Sequence, residues 1–114
     1  MGKPEGIIED YLGKIAKEHG FLYYKFTSPA HSGVPDRILI GHGQTVFIEL
    51  KRPKGKPRKL QDRVFENMRK HGATVYFVNT KKQAKDLITK LTPKSWHPKK
   101  HIIKSSKYKI YSIN

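Results

Sequence analysis

The sequence predicts an α/β domain with one central mixed sheet, and three observations lead to this class. Segments whose apolar residues recur at helical spacing alternate with short segments rich in β-branched and aromatic residues. Glycine, proline and polar residues separate these segments. The length of 114 residues is typical of one domain, and a hydrophobic content of 36% allows one thin core.

The N-terminal part predicts one helix followed by one strand. Apolar residues recur at helical spacing over residues 4–19, and Gly20 follows where a left-handed C-cap is favoured. Residues 21–26 are rich in aromatic side chains and alternate in polarity, which predicts a strand. Residues 28–35 predict a loop because Pro, Gly and Ser are concentrated there.

The next part predicts a β-hairpin and then a basic loop. Two apolar runs at 37–40 and 45–48 predict neighbouring strands, and residues 41–44 contain the glycines that suit a tight turn. Residues 52–59 predict a loop because two prolines and a glycine interrupt them.

The rest of the domain predicts a helix, a strand and a last helix. Residues 59–71 carry an apolar stripe that ends at Gly72, and the β-branched and aromatic residues of 73–78 are typical of a buried strand. Thr80 is a suitable N-cap for a helix over 81–91. The predicted order is therefore helix, three strands, helix, strand, helix.

Residues 93–114 differ from the domain predicted for residues 1–92. This C-terminal extension holds six lysines and no acid, interleaved with isoleucine and aromatic residues. The sequence is compatible with two structures for this extension, a late hairpin around residues 105–106 or a flexible basic arm. Its apolar content favours a DNA-contacting extension or a dimer element.

The charge of the chain indicates a polyanionic partner. Lys and Arg number 24 against nine Asp and Glu, which gives a formal net charge of +15. Nucleic acid is the commonest partner for such an excess. An anionic membrane surface is the competing interpretation, but it requires a basic amphipathic helix or an apolar anchor. We find neither, and no apolar run reaches 18 residues.

The absence of cysteine excludes three kinds of site. With no Cys in the chain, there is no disulfide framework, no thiolate zinc site and no cysteine nucleophile. A cytoplasmic protein fits this composition, and we expect that location.

Two carboxylates and one ammonium are predicted to meet at one end of the sheet. Asp36 directly precedes the first hairpin strand, and Glu49 and Lys51 follow thirteen and fifteen residues later, at the end of the second. Mg²⁺ takes oxygen ligands and keeps several waters, so one or two protein carboxylates suffice. Asp36 and Glu49 are therefore the predicted metal ligands.

Lys51 and Leu50 complete this predicted site. Glu49 and Lys51 are two residues apart on an extended chain, so their side chains point to the same face, while Leu50 points into the core. The backbone carbonyl of Leu50 stays available to the metal. Lys51 can polarise the attacking water or offset charge in the transition state. The combination predicts metal-assisted hydrolysis of phosphodiester bonds.

The cations that follow the predicted catalytic lysine indicate a phosphate-binding surface. Six Lys and Arg residues fall within residues 51–59, with no acid among them. The predicted DNA-binding residues are Arg52, Lys54, Lys56, Arg58 and Lys59, together with Ser28 and His31 from the loop before Asp36. Phosphate contacts give affinity and salt dependence but little sequence information.

Four short motifs make the sequence resemble a known family. They are GVPDRI at 33–38, FIELKR at 47–52, GK at 55–56 and LQ at 60–61. In this combination and order they closely resemble the VRR-NUC family of the PD-(D/E)XK nuclease superfamily. The likeness extends over residues 5–91 and leaves out the C-terminal extension. It implies a restriction-endonuclease-like αβββαβ core, in agreement with the order predicted above.

The resemblance also implies roles for individual residues. Asp36 and Glu49 would bind Mg²⁺ or Mn²⁺, and Lys51 would be the superfamily's catalytic lysine. Gln61 matches the family glutamine beside the active site, and Glu9 matches the acid that reaches the metal through water. Glu5 and Asp10 are the rival candidates for this last role.

The predicted function is a metal-dependent endonuclease that hydrolyses DNA. By similarity to small Holliday-junction resolvases, it would act as a homodimer on branched DNA. One alternative is a basic nucleic-acid-binding protein that has lost catalysis. Another is an RNA-binding protein, which would stack bases on the aromatic residues Tyr23, Tyr24 and Phe26 of an open sheet face.

Overall fold

The computed structural model describes residues 4–98, which form a four-stranded mixed sheet flanked by three helices. In chain order, the elements are α1 (Pro4–Glu18), β1 (Leu22–Lys25), β2 (Arg37–Gly41), β3 (Gln44–Leu50), α2 (Lys59–Lys70), β4 (Val75–Val78) and α3 (Lys81–Leu91). This order confirms the predicted α/β class and the αβββαβ core. The predicted hairpin near residues 105–106 lies outside the described residues, and the domain boundary at residue 92 stays a prediction.

The strands lie in the order β1-β2-β3-β4, and the polarity changes once. β1 and β3 pair antiparallel to β2, whereas β4 pairs parallel to β3. The hairpin between β2 and β3 is tight, since Gly41 pairs with Gln44 across a two-residue turn. Both turn residues have positive φ, 53° at His42 and 77° at Gly43, which matches the twist of the flanking strands.

Two helices end in the same glycine-dependent motif, so the strands that follow them begin later in the chain than we predicted. After α1, the amide of Gly20 donates to Lys17 and the amide of Phe21 donates to Ala16. After α2, Gly72 and Ala73 donate in the same way to Arg69 and Met68. Gly20 and Gly72 have φ of 83° and 95°, as this motif requires. Phe21 and Ala73, which we predicted as strand residues, therefore belong to the helix ends.

The main core lies between one face of the sheet and the helices α1 and α3. Leu39 of β2 and the alternate residues Val46, Ile48 and Leu50 of β3 point to this face and are buried. Helices α1 and α3 pack on them with the buried residues Ile8, Leu12, Ile15, Ala16, Ala84, Leu87, Ile88 and Leu91. The opposite face carries Glu49, and α2 covers it only at the β4 side, where Phe65 and Val75 are buried.

The chain after α3 returns to the hairpin end of the sheet. Trp96 packs edge-on against His42 with ring centroids 5.1 Å apart. A Cβ added at Gly20 would lie 2.7 Å from the Trp96 ring, so glycine is required there on steric grounds as well. The described start of the C-terminal extension therefore lies at the end of the sheet away from Glu49.

Across residues 4–98, no helix combines the length and apolar character needed to cross a bilayer.

Candidate active site

The predicted catalytic residues converge at the edge where β2 begins and β3 ends. Arg37, the first residue of β2, pairs with Ile48 near the end of β3, which brings Asp36 beside Glu49. The amide of Lys51 donates to Val78 at 3.0 Å and extends the parallel ladder past Leu50. Regular strand pairing therefore positions these groups without a special loop conformation.

Glu49 is a buried carboxylate with two partners on one oxygen. Its side chain is about 7% exposed, Lys51 Nζ lies 3.2 Å from Oε2, and Gln61 Nε2 donates to the same oxygen at 3.1 Å. Burial raises the pKa of Glu49, although Lys51 and Gln61 act in the opposite direction. Oε1 accepts no hydrogen bond from the part of the chain that the structure describes.

Gln61 connects the start of α2 to this carboxylate. Its Oε1 accepts a hydrogen bond from the amide of Arg58 at 3.0 Å, so its NH₂ group is directed at Glu49. The first contact caps the helix by satisfying an amide that has no partner within the helix. A glutamine suits this place because it accepts on one side and donates on the other.

Arg37 is a site residue that sequence reasoning missed. Its side chain is 3% exposed, with one terminal nitrogen 2.7 Å from Glu9 Oε1 and the other 2.8 Å from Asp36 Oδ1. Burial alone would lower the pKa of Arg37, but Glu9 and Asp36 outweigh it and raise the pKa, so the guanidinium stays charged. The strand pattern could have revealed that Arg37 is buried. Arg37 is two residues before Leu39 and therefore lies on the same, core-facing side of the strand.

Tyr23 lies against the same guanidinium on the core side of the sheet. Its hydroxyl and Arg37 Nε are buried without a hydrogen bond from residues 4–98. Burial raises the pKa of the Tyr23 phenol, so it stays protonated at neutral pH. Tyr23 packs against the main core. It is therefore not available for base stacking, as the RNA-binding alternative requires.

The carboxylates fit a divalent metal of the magnesium type. The charge of Asp36 contributes to the raised pKa of Glu49, so the two groups are close enough to repel each other. A cation between them would relieve this repulsion. Among the described residues no group of three or more Asp, Glu, His or Cys surrounds a metal position. Two carboxylates and several waters match Mg²⁺, whereas a zinc site would need more protein ligands.

The candidate helper acids differ in whether they line the cavity beside Asp36. A cavity of about 330 Å³ beside Asp36 is lined by Glu5, Gly6, Glu9, Lys25 and Arg37. Asp10, one of the rivals for the helper role, does not line it. Glu9 and its rival Glu5 therefore both lie beside Asp36, and Oε1 of Glu9 is paired to Arg37.

A solved structure described as a VRR_NUC domain superimposes on this chain with a TM-score of 0.72 at 32% sequence identity. The superposition covers 79% of this chain and 99% of that one. The chain belongs to the VRR-NUC family.

A phage protein is also similar in sequence to this VRR-NUC chain. It is named "Putative nuclease p44", from Acyrthosiphon pisum secondary endosymbiont phage 1, and is 40% identical over 58 residues. That match spans 50% of this chain and 62% of the phage protein. No family model matches the chain.

The basic loop of this VRR-NUC chain is held against the end of β4. Gly55 donates to Arg52 at 2.8 Å, and the Asn79 side chain donates to the Gly55 carbonyl at 2.9 Å. A Cβ on Gly55 would lie 2.9 Å from the Cβ of Lys51, so the loop packs directly on the predicted catalytic lysine.

All the residues predicted to bind DNA are exposed. They are Ser28, His31, Arg52, Lys54, Lys56, Arg58 and Lys59. None of the five cations forms an ion pair with another described residue. Ser28 and His31 lie apart from the basic loop and line a second cavity, of about 570 Å³, against α2.

Proposed function

We propose that this chain is a metal-dependent endonuclease that hydrolyses DNA phosphodiester bonds. The observation that carries the proposal is the buried Glu49, held by Lys51 and Gln61 beside Asp36, in a member of the VRR-NUC family. Buried charged groups that converge at one end of a sheet lower stability, so their presence here favours a catalytic role.

In the proposed site, Asp36, Glu49 and the backbone carbonyl of Leu50 hold Mg²⁺ or Mn²⁺. The metal would supply a Lewis acid at the phosphate and lower the pKa of bound water. Glu9 would contact the metal through a water molecule. Arg37 holds Glu9 and Asp36 on its two terminal nitrogens and so fixes the carboxylates before the metal binds.

Lys51 and Gln61 act on the attacking water and on Glu49. The ammonium of Lys51 lies next to Glu49 and is partly exposed, so it can reach the water or the phosphate. There it offsets the negative charge that develops in the transition state. Gln61 restrains Oε2 of Glu49, which directs Oε1 to the metal.

The phosphates that flank the cut would lie along the basic loop. Its exposed cations begin next to Lys51 and have no competing acidic partner among residues 4–98. This arrangement gives sequence-independent affinity, which suits an enzyme that recognises DNA structure.

We further propose a homodimer that acts on branched DNA. Leu22 and Tyr24 of the edge strand β1 are 53% and 54% exposed on the sheet face that carries Glu49. Neither residue is charged, in a chain of net charge +15, so this patch suits a second copy better than a polyanion. Two copies related by a two-fold axis would present two active sites, as paired cutting of a junction requires.

The test is cleavage of a labelled four-way junction, a flap, a linear duplex and a single strand. Each is incubated with Mg²⁺, Mn²⁺ or EDTA, with the wild-type chain or with Asp36→Asn. We expect metal-dependent cutting that is lost in the variant while DNA binding is retained. Tight binding without cutting under any metal would contradict the proposal and favour an inactive binding protein.

A further inference from the structure

We propose that the second cavity binds one unstacked nucleobase next to the bond that is cut. The cavity lies between the loop before β2 and the exposed side of α2, and we call it the α2 cavity. It is lined by Ser28, His31, Val34, Arg63, Val64, Asn67 and Met68. This inference rests on the proposed nuclease function and assigns part of its substrate recognition.

The chemistry of the lining fits the faces and edges of a base. Val34, Val64 and Met68 provide apolar walls, and a methionine sulfur packs well against a flat ring. The amide of Asn67 offers a donor and an acceptor, as the edge of a base does. The planar guanidinium of Arg63 can stack on a base. A volume of about 570 Å³ is enough for one nucleoside.

The polar groups of the cavity are available to a ligand. Within residues 4–98, the side chains of Arg63 and Asn67 make no hydrogen bond or ion pair with the protein. His31 uses only Nδ1, in a long contact of 3.3 Å to the Ser32 carbonyl. Because one cation and no acid line the cavity, it suits a base better than a run of phosphates, which the basic loop would hold.

Residues that line the α2 cavity are close in the chain to two of the predicted catalytic residues. Val34 is two residues before Asp36, and Val64 follows Gln61 by about one helical turn. Met68 is about 10 Å further along the helix axis than Gln61, at 1.5 Å per residue. This separation is on the order of the length of one or two nucleotides in an extended single strand of DNA.

Gly33 keeps the wall of the cavity in contact with α2. It has a φ of 87°, and an added Cβ would lie 3.1 Å from Val64 and 3.3 Å from Leu60. The loop therefore approaches the helix closely just before it delivers Asp36 to the site. A base in the cavity would position its own phosphate against Asp36 and Glu49.

Such a cavity would select DNA by structure. A base in duplex DNA must unpair and unstack before it can enter, whereas a base at a flap or branch point is already partly unstacked. The cavity would therefore favour substrates with an unpaired nucleotide at the cut.

The experiment compares the cutting rates of matched flap substrates. One flap carries an unpaired base next to the cut, and the other carries an abasic site there. For the wild-type chain we expect the base to raise kcat/KM roughly tenfold. In Asn67→Ala/Met68→Ala this advantage should disappear, while the rate on the abasic flap stays unchanged. Thr89→Ala, an exposed neutral change on α3, is the control and should keep the advantage.

A binding measurement separates failure of this inference from failure of the proposed function. The base next to the cut is replaced by 2-aminopurine, and fluorescence is recorded on mixing with Asp36→Asn in EDTA. A fluorescence change that the double variant abolishes supports the cavity, even if the wild-type chain cuts no DNA. If the double variant keeps the base advantage and the fluorescence change, or if it slows both flaps equally, the inference is overturned.

Discussion

Glu49 combines burial with charge, which a functional site tolerates at the expense of stability. Since burial raises its pKa above the ordinary value, the folded state binds the proton more tightly than the unfolded state does. The free energy of unfolding therefore falls as the pH rises from about 4, the unfolded value, through the raised folded value. The proposed metal-binding role would explain why the chain keeps a carboxylate that lowers stability in this pH window.

Glu49→Gln should therefore unfold at a higher Tm than the wild-type chain at neutral pH in EDTA. The difference should shrink as the pH falls and vanish below about pH 4, where both states of the wild-type chain are protonated. Thermal unfolding from pH 3 to pH 8 measures this. Glu66→Gln, at an exposed position, is the control and should shift Tm little at any pH. A lower Tm for Glu49→Gln at neutral pH would contradict the argument.

The contribution of Arg37 to the stability of the fold depends on the geometry of its guanidinium group. Its guanidinium holds Glu9 and Asp36 on separate nitrogens, and the ammonium of lysine cannot reproduce that fork. Arg37→Lys should therefore lower the free energy of unfolding by about 1–3 kcal/mol, reduced by the partial exposure of both carboxylates.

Urea unfolding measures this loss, and an exposed ion pair provides the comparison. Lys70→Met breaks the Lys70–Glu66 pair, whose side chains are both 70% exposed, and should change stability little. Equal losses in the free energy of unfolding for Arg37→Lys and Lys70→Met would show that Arg37 stabilises the fold no more than an exposed ion pair does.

At the scale of elements, the basic loop and α2 share the role of holding side chains in place, because both contact residues at the end of β3. The loop packs on Lys51 through Gly55, and α2 reaches Glu49 through Gln61. Movement of either element would displace Lys51 or Glu49, the predicted catalytic groups, by a small distance, and small displacements are costly in catalysis.

Neutralising Lys54, Lys56 and Arg58 to Gln should weaken DNA binding and reduce its salt dependence. Each phosphate contact that is lost should lower the slope of log K against log salt by up to about 1. Binding by Asp36→Asn in that background, measured over a range of salt, tests this without cutting. The control removes the same amount of positive charge from α3, by changing Lys81, Lys82 and Lys85 to Gln. It should leave the slope of log K against log salt nearly unchanged.

At the scale of the molecule, the sheet is covered unevenly. One face is packed by α1 and α3, while α2 leaves the β1 side of the other face exposed. The described start of the C-terminal extension packs at the opposite end of the sheet from Glu49.

The proposed dimer makes a prediction at this scale. Leu22→Lys/Tyr24→Lys should convert a dimer to a monomer, because charges of like sign would face each other across the two-fold axis. Sedimentation equilibrium measures the mass. Ile7→Lys, at an exposed apolar position on α1, is the control and should stay dimeric. A wild-type monomer at high concentration would contradict the proposed interface.

Much of the fold followed from local patterns. Helical and strand spacing, with glycine after α1 and α2, predicted the element order and its class, because these signals depend on backbone geometry over a few residues. The errors at Phe21 and Ala73 have a local cause as well, since the hydrogen bonds that end a helix extend past the glycine.

The sequence by itself determined that Asp36, Glu49 and Lys51 meet. Strand alternation and a tight hairpin are enough to bring them to one edge, so no knowledge of packing was needed. Only the tertiary structure decided that Gln61 donates to Glu49, that Arg37 bridges Glu9 and Asp36, and that Tyr23 faces the core. Those contacts depend on which face each helix turns to the sheet. That choice is made by the packing of segments distant in the chain, which no local spacing records.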